Sequence, residues 1–298
     1  MTISGEIGAA HWESLRLLLP GRAVGLYLVG SAAHGDVATT SNVDTVTVLE
    51  GPLDRGDQQL LRGVHADIES ASPGIHYDTI YIPRSWLAAP PSEPAPMTPF
   101  SRGGRLRIGE RSDAVNPLAW LVLARGERLA GAALGDLEMR VDPVGARMYA
   151  NNRLHRYWAA IGAELALAGT WRRPHQGLAE PAAVVWTVLG VPRLAVFVAT
   201  GRLVSKSEAG ALVLERFSEY ADLVGRALAQ RRGEKAAFTH GDLATTAALV
   251  RQVLAAVDTG NLIRRPVAEQ VTSAVKGSDP AITGEPPEER ASGLLALH

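Results

Sequence analysis

Gly30 and Ser31 close an apolar, β-prone run, and after a gap of ten residues Asn42-Val43-Asp44 leads into a second such run. Residues i and i+2 of a strand project to one face, so Asn42 and Asp44 present their polar groups together. A glycine at position 30 lets the backbone approach a ligand closely, and helix-start amides with the Ser31 hydroxyl suit phosphate oxygens. Asp78 lies in a third apolar run that could sit beside the second. A phosphate cradle next to grouped carboxylates is what metal-assisted nucleotidyl transfer requires. Magnesium takes hard oxygen ligands, usually one or two carboxylates plus phosphates, and it neutralises charge on the α-phosphate and on the leaving pyrophosphate. The same residues also have plainer uses, because Gly-Ser after a strand and Asn or Asp at a strand start are common turn residues.

Two basic residues further along carry a second signal. Only Lys206, Lys235 and Lys276 are lysines among the 30 basic residues. Ser205 followed by Glu208 forms a capping-box pattern, which predicts a helix starting at Lys206. That lysine would stand at a helix N-terminus, where backbone amides and the macrodipole favour an anion. Arg193 falls inside an apolar run, where an unpaired charge would be costly. An anionic ligand would resolve this, and so would an acid such as Glu180 or Glu215; Lys206 could equally be solvated. Other candidates are weaker. His34 lies in the loop after Gly30 and reads as a surface residue. Trp120, Trp158 and Trp186 have the spacing of helix core residues. Arg102, Arg105, Arg107 and Arg111 could hold an anionic substrate but read as a solvated loop.

The elements that must position these residues follow from pattern. Residues 9–19 have helical apolar spacing ended by Pro20-Gly21, residues 23–29 and 43–49 read as strands, 54–71 as a helix and 75–82 as a third strand. Five prolines in 88–99 make a loop, and 100–113 reads as irregular. Asn116-Pro117 opens a helix expected to run over 116–130, and Asp142-Pro143 marks a boundary. Beyond it, helices are expected at about 144–168, 179–200, 206–230 and 240–258. The fold class is therefore α+β: a mixed sheet with helices in residues 1–142, a helical bundle in 143–262, and a disordered tail over 263–298 rich in Pro, Gly, Glu and Ser.

Composition narrows the function classes. The chain has 298 residues, enough for two domains, and a net charge of −1, which removes the electrostatic case for a general nucleic-acid binder. Without cysteine there are no disulfides, thiolate zinc sites or cysteine nucleophile. No signal peptide is read at the N-terminus. The most apolar stretch, 182–200, is interrupted by Pro192 and Arg193 and reads as a buried bundle helix, not a membrane span. A cytoplasmic protein, monomer or weak dimer, with no membrane or nucleic-acid partner, is the expectation.

Three segments carry a resemblance: GLYLVGSAAHGDVATTSNVDTVTV (25–48), HYDTIYIP (76–83) and VPRLAVFVATGRLVSKSEAGALVLERFSEY (191–220). Together they resemble the aminoglycoside nucleotidyltransferases, in particular the streptomycin/spectinomycin adenylyltransferase-like group, over about residues 20–258. The resemblance implies the nucleotidyltransferase fold, Mg²⁺ as cofactor, ATP as co-substrate and a small-molecule hydroxyl as acceptor. In that family the helical domain closes over ATP and the antibiotic sits in the cleft. The resemblance gives Gly30, Ser31, Arg193 and Lys206 to the nucleotide phosphates, Asn42, Asp44 and Asp78 to the metal, and Asp44 and Asp78 to catalysis, with Asp78 as the base.

Two departures accompany it. Asn42 stands where the family has the first metal-binding aspartate, and it brings no negative charge. Ala183 and Trp186 stand where the streptomycin enzymes have an acid and a base, so streptomycin and spectinomycin are poor candidate substrates. Two readings remain open: a Mg-ATP-dependent adenylyltransferase acting on a hydroxyl of an aminoglycoside-like compound or another natural product, or a degenerate nucleotidyltransferase fold that binds a ligand or performs metal-independent chemistry.

Overall fold

A computed structural model describes residues 2–30, 42–90, 97–112, 114–169 and 179–263. Helix α1 (Ile3–Leu18) is capped by Thr2, whose hydroxyl accepts from the Gly5 amide. Strands β1 (Ala23–Val29) and β2 (Val43–Leu49) follow, then helix α2 (Arg55–Ala71) and strand β3 (Tyr77–Pro83). After the short helix α3 (Ser85–Ala88) come β4 (Phe100–Arg102), β5 (Arg105–Arg107), helix α4 (Pro117–Leu123) and β6 (Glu127–Gly131).

The six strands form one sheet in the order β5-β4-β3-β2-β1-β6. Only β2 and β3 run parallel, with Asp44 opposite Asp78, and α2 is the crossover a parallel pair needs. All other pairs are antiparallel. Both faces of the centre are covered. On one face, α1 and α2 pack Ile7, Leu15, Leu61, Val64 and Ile68 against Leu28, Val43, Leu49, Tyr77 and Tyr81. On the other, α4 packs Ala119, Trp120 and Leu123 against Tyr27, Val29, Val46, Ile80 and Phe100.

Two stretches depart from expectation. Residues 100–107 form a hairpin instead of an irregular loop; Gly103 and Gly104, at φ 56° and 76°, make its turn. The helix from Asn116 ends at Leu123 instead of near 130, and β6 pairs with β1. Gly126 permits that reversal, because a Cβ there would stand 2.9 Å from the Leu28 carbonyl. Local apolar spacing continues through this segment, and pairing with the distant strand β1 overrides it.

Asp142 caps the first helix of the helical half, α5 (Pro143–Arg153), which passes through a wider turn at Leu154–Trp158 into α6 (Ala159–Gly169). Helices α7 (Pro181–Thr200), α8 (Lys206–Arg216), α9 (Ala221–Arg231) and α10 (His240–Asp258) complete it. The helix expected over 206–230 is broken at Phe217, which buries its ring and leads into a short 3-10 turn. Helix α7 is long and apolar enough to cross a membrane, yet 67% of that window is buried inside the protein, as befits a central core helix. Helix α4 joins the halves: Leu118 belongs to the helical core, and Ala119 and Trp120 to the sheet core. Ser31, His34 and the expected tail beyond 263 lie outside the described residues.

Candidate active site

Asp44 and Asp78 sit side by side near the starts of the parallel strands β2 and β3. Their position in the alternation puts them on the face of Val46 and Ile80, just past the apolar core under α4. At the end of β1, Val29 pairs with Asp44, and Gly30 turns away at φ 71°. A Cβ at position 30 would stand 3.0 Å from Asp44 Oδ2, so only glycine fits this approach without strain.

Asp78 is buried and tightly held. The Gly104 amide donates to its Oδ1 at 3.0 Å, and Asn42 Nδ2 donates to its Oδ2 at 3.1 Å. The glycine turn of the β4–β5 hairpin therefore clasps this carboxylate. Ser101 fixes the hairpin against β3: its hydroxyl accepts from the Thr79 amide at 2.8 Å and donates to the Tyr77 carbonyl at 3.1 Å. The sheet thus brings Asn42, Asp44 and Asp78 together, and Asn42 spends its amide hydrogens on Asp78.

From the helical half, Arg193 and Lys206 act electrostatically on Asp44. Arg193 is buried on α7, and its Nε donates to the Val204 carbonyl at 2.7 Å. That bond holds the segment leading to Ser205. There the capping box forms: Glu208 N–H donates to Ser205 Oγ at 3.1 Å, and Ser205 N–H to Glu208 Oε2 at 2.8 Å. Lys206 is therefore the first residue of α8.

Burial, and then the neighbouring Asp78 charge, push the Asp44 carboxyl up to about 7; Lys206 and Arg193 pull the other way. Burial also raises Asp78, opposed by the Gly104 and Gly103 amides, His76 and Asn42. Two desolvated carboxylates that share a charge sign therefore stand side by side, each favouring the protonated form of the other. Among the described residues, no group of three or more His, Cys, Asp or Glu side chains could hold a metal. The donor set of two carboxylates, with phosphates to complete the shell, nonetheless fits magnesium, which usually needs no more from a protein.

The four hairpin arginines part company. Arg105, Arg107 and Arg111 are exposed, Arg107 pairing with Glu110 at 3.7 Å. Arg102 is different, with Nε and Nη2 buried and without hydrogen-bond partners. It is half-buried on strand β4, not in a loop, and its Cζ lies 5.9 Å from the Phe100 ring centroid. Trp158 and Trp186 pack with ring centroids 4.2 Å apart and planes tilted by 42°, and Trp158 lies in the helical core. Trp120 packs under the sheet, its indole N–H donating to the Trp86 carbonyl at 3.2 Å. The hairpin glycines and Ser101 escaped the sequence reading; the Gly103-Gly104 pair was their one visible signal.

Comparison with known proteins adds three findings. Residues 155–256 match the family described as aminoglycoside adenylyltransferase, C-terminal domain. No curated protein sequence matches the chain. Among solved structures, one similar fold is the spectinomycin adenyltransferase from Enterococcus faecialis, determined with ATP and spectinomycin. It has a TM-score of 0.61 and 17% identity, over 84% of this chain and 98% of that one.

Proposed function

We propose that this chain is a nucleotidyltransferase that transfers an adenylyl group from Mg-ATP to a hydroxyl of a small molecule, its two halves acting as domains that meet at about residue 142. The observation that carries this reading is the pairing of Asp44 with Asp78 beside Gly30, faced by Arg193 and Lys206 from the helical half. The match of residues 155–256 to an adenylyltransferase C-terminal domain, and a structural relative solved with ATP and spectinomycin, support it.

Each residue has a distinct task. Gly30, with Ser31 after it, lets the phosphates approach the end of β1. Arg193 and Lys206 neutralise the triphosphate, Lys206 from a helix N-terminus. Asp44 and Asp78, with Asn42, would hold magnesium, whose chemistry there is neutralisation of phosphate charge. Asp78 accepts the proton of the acceptor hydroxyl. Its raised pKa makes it a stronger base than a free aspartate, and its bonds to Gly104 and Asn42 fix its direction. The hydroxyl oxygen then bonds to the α-phosphorus, the bond from that phosphorus to the bridging oxygen breaks, and pyrophosphate departs with the electron pair.

One observation favours a second reading. Asn42 offers hydrogens to Asp78 instead of a charge to a cation. A degenerate fold that binds nucleotide or metabolite without metal would do the same. Calorimetric ATP titration of the parent and Asn42→Asp, with magnesium and with chelator, separates the two. An active transferase binds Mg-ATP in the parent form and releases pyrophosphate with an acceptor. A degenerate fold gains magnesium-dependent affinity only in the variant. Absence of ATP binding in both would defeat the adenylyltransferase reading.

A further inference from the structure

Among the described residues, Leu203 is the one partly buried side chain that packs against both the helical core and the core under α4 on the sheet. It stands in the connector Gly201–Ser205 between α7 and α8, beside Val204, which is buried in the helical core. The mechanism gives it no task, yet it lies three positions before Lys206. Helix α4 also joins the halves, through Leu118 on one side and Ala119 and Trp120 on the other, but it bears none of the site's residues.

The connector around Leu203 is stiff. The Gly201 amide, at φ 73°, donates to the Phe197 carbonyl at 2.7 Å and ends α7. The Arg202 amide donates to Thr200 Oγ1 at 3.1 Å. Arg193 Nε holds the Val204 carbonyl, and the capping box with Glu208 holds Ser205. Each of these bonds ties the connector to its own helices, and none reaches the sheet. Leu203 supplies that reach. In close-packed surroundings a stiff connector passes a shift at Leu203 on to Lys206. Resting on the adenylyltransferase reading, we infer that Leu203 is a positioning residue: wedged against both cores, it sets the helical half on the sheet and so places Lys206 at the triphosphate. Shortening the wedge leaves the cation in the chain but out of place, so nucleotide affinity depends on the fit between the halves.

Two measurements on the full chain test this. In the first, Mg-ATP is titrated by calorimetry into the parent, Leu203→Met, Leu203→Ala, Lys206→Ala and the double variant Leu203→Ala, Lys206→Ala. Leu203→Ala should bind about ten-fold more weakly, within the roughly one to two decades that a lysine–phosphate bond contributes. Leu203→Met keeps the volume and should stay within about three-fold of the parent. In the Lys206→Ala background, Leu203→Ala should add less than about three-fold, because the group it positions is gone. Full additivity overturns the proposal, as does parent-like affinity in Leu203→Ala; either makes Leu203 a packing residue only. If Leu203→Ala does not fold, Leu203→Val takes its place in both measurements, with a fall of about three-fold expected in the parent background and the same two overturning results.

The second measurement needs no nucleotide. The chain has no cysteine, so Asp67→Cys on α2 and Glu219→Cys after α8, both exposed positions, take spin labels one on each half. The distance between the labels should be narrowly distributed in the parent and in Leu203→Met, and more broadly in Leu203→Ala. Equal widths overturn the proposal. If the parent binds no nucleotide, the adenylyltransferase reading fails, while the label distances still decide whether Leu203 sets the two halves.

Discussion

Asp44, with its carboxyl pushed up to about 7, is close to half protonated at neutral pH in the absence of a cation. The folded state holds this proton from about pH 4 to 7 while the unfolded chain releases it, so this residue's contribution to stability falls as pH rises through that window. Asp44→Asn should therefore stabilise the ligand-free protein, with a gain that grows from pH 4 to 7 and then levels off. Urea midpoints of parent and variant across that range measure it; a gain independent of pH would count against the coupled pair. Lys206 is the second residue-scale test. Lys206→Ala should lower ATP affinity by roughly one to two decades, the contribution of a charge-assisted hydrogen bond. The capping box should survive, since Ser205 and Glu208 make it. Unchanged ATP affinity would place this lysine outside the nucleotide site.

Elements decide whether those residues meet. The β4–β5 hairpin holds Asp78, and Ser101 holds the hairpin by standing in the ladder between the Tyr77 carbonyl and the Thr79 amide. Ser101→Ala leaves both buried groups unbonded, at about 1–3 kcal/mol each. A loss of about 2–6 kcal/mol in urea unfolding is expected, together with a larger loss of transfer rate than of ATP affinity. A silent Ser101→Ala would show that backbone pairing alone secures the hairpin. Gly30→Ala tests the other end of the site. It strains a left-handed backbone position and presses a methyl on the Asp44 carboxylate, so it should destabilise by about 1–3 kcal/mol and weaken nucleotide binding. Neither element needed the same information. The turn at Gly30 was readable from a glycine after a strand, whereas Ser101 looked like any loop serine.

Behind the site, a polar cluster lies within the apolar packing of α1 and α2 on the sheet. His11 Nδ1 and Nε2 lie 2.6 and 2.8 Å from the hydroxyls of Tyr77 and Tyr81, and His65 Nε2 lies 2.9 Å from Tyr81. Both histidines are buried, and burial holds His65 down at about 4 and His11 well below its ordinary value. The folded state keeps them neutral while the unfolded chain takes up protons below about pH 6.5. Their contribution is complete above that pH and is lost as pH falls towards 4, on the order of 3 kcal/mol for His65. Asp44 acts in the opposite sense, so His65→Phe identifies the histidine part. The urea midpoint of that variant should fall less than the parent's between pH 7 and 5. Parallel profiles would remove His65 as a source of acid lability.

What the sequence by itself determined is local. The strands 23–29 and 43–49, the Ser205–Glu208 capping box and the buried character of α7 were all legible, because hydrophobic period and caps act over a few residues. The pairing of Asp44 with Asp78 was only half legible: the residue types were visible, but their shared face depended on a register between strands 34 positions apart. Tertiary structure alone decided that β6 edges the sheet, that 100–107 is a hairpin, and that Phe217 divides a helix. It also decided that Asn42 donates to Asp78 and that the Arg102 guanidinium lies over the Phe100 ring. All but the last rest on contacts between residues distant in the chain, where burial and hydrogen-bond satisfaction are settled by neighbours that no local pattern encodes.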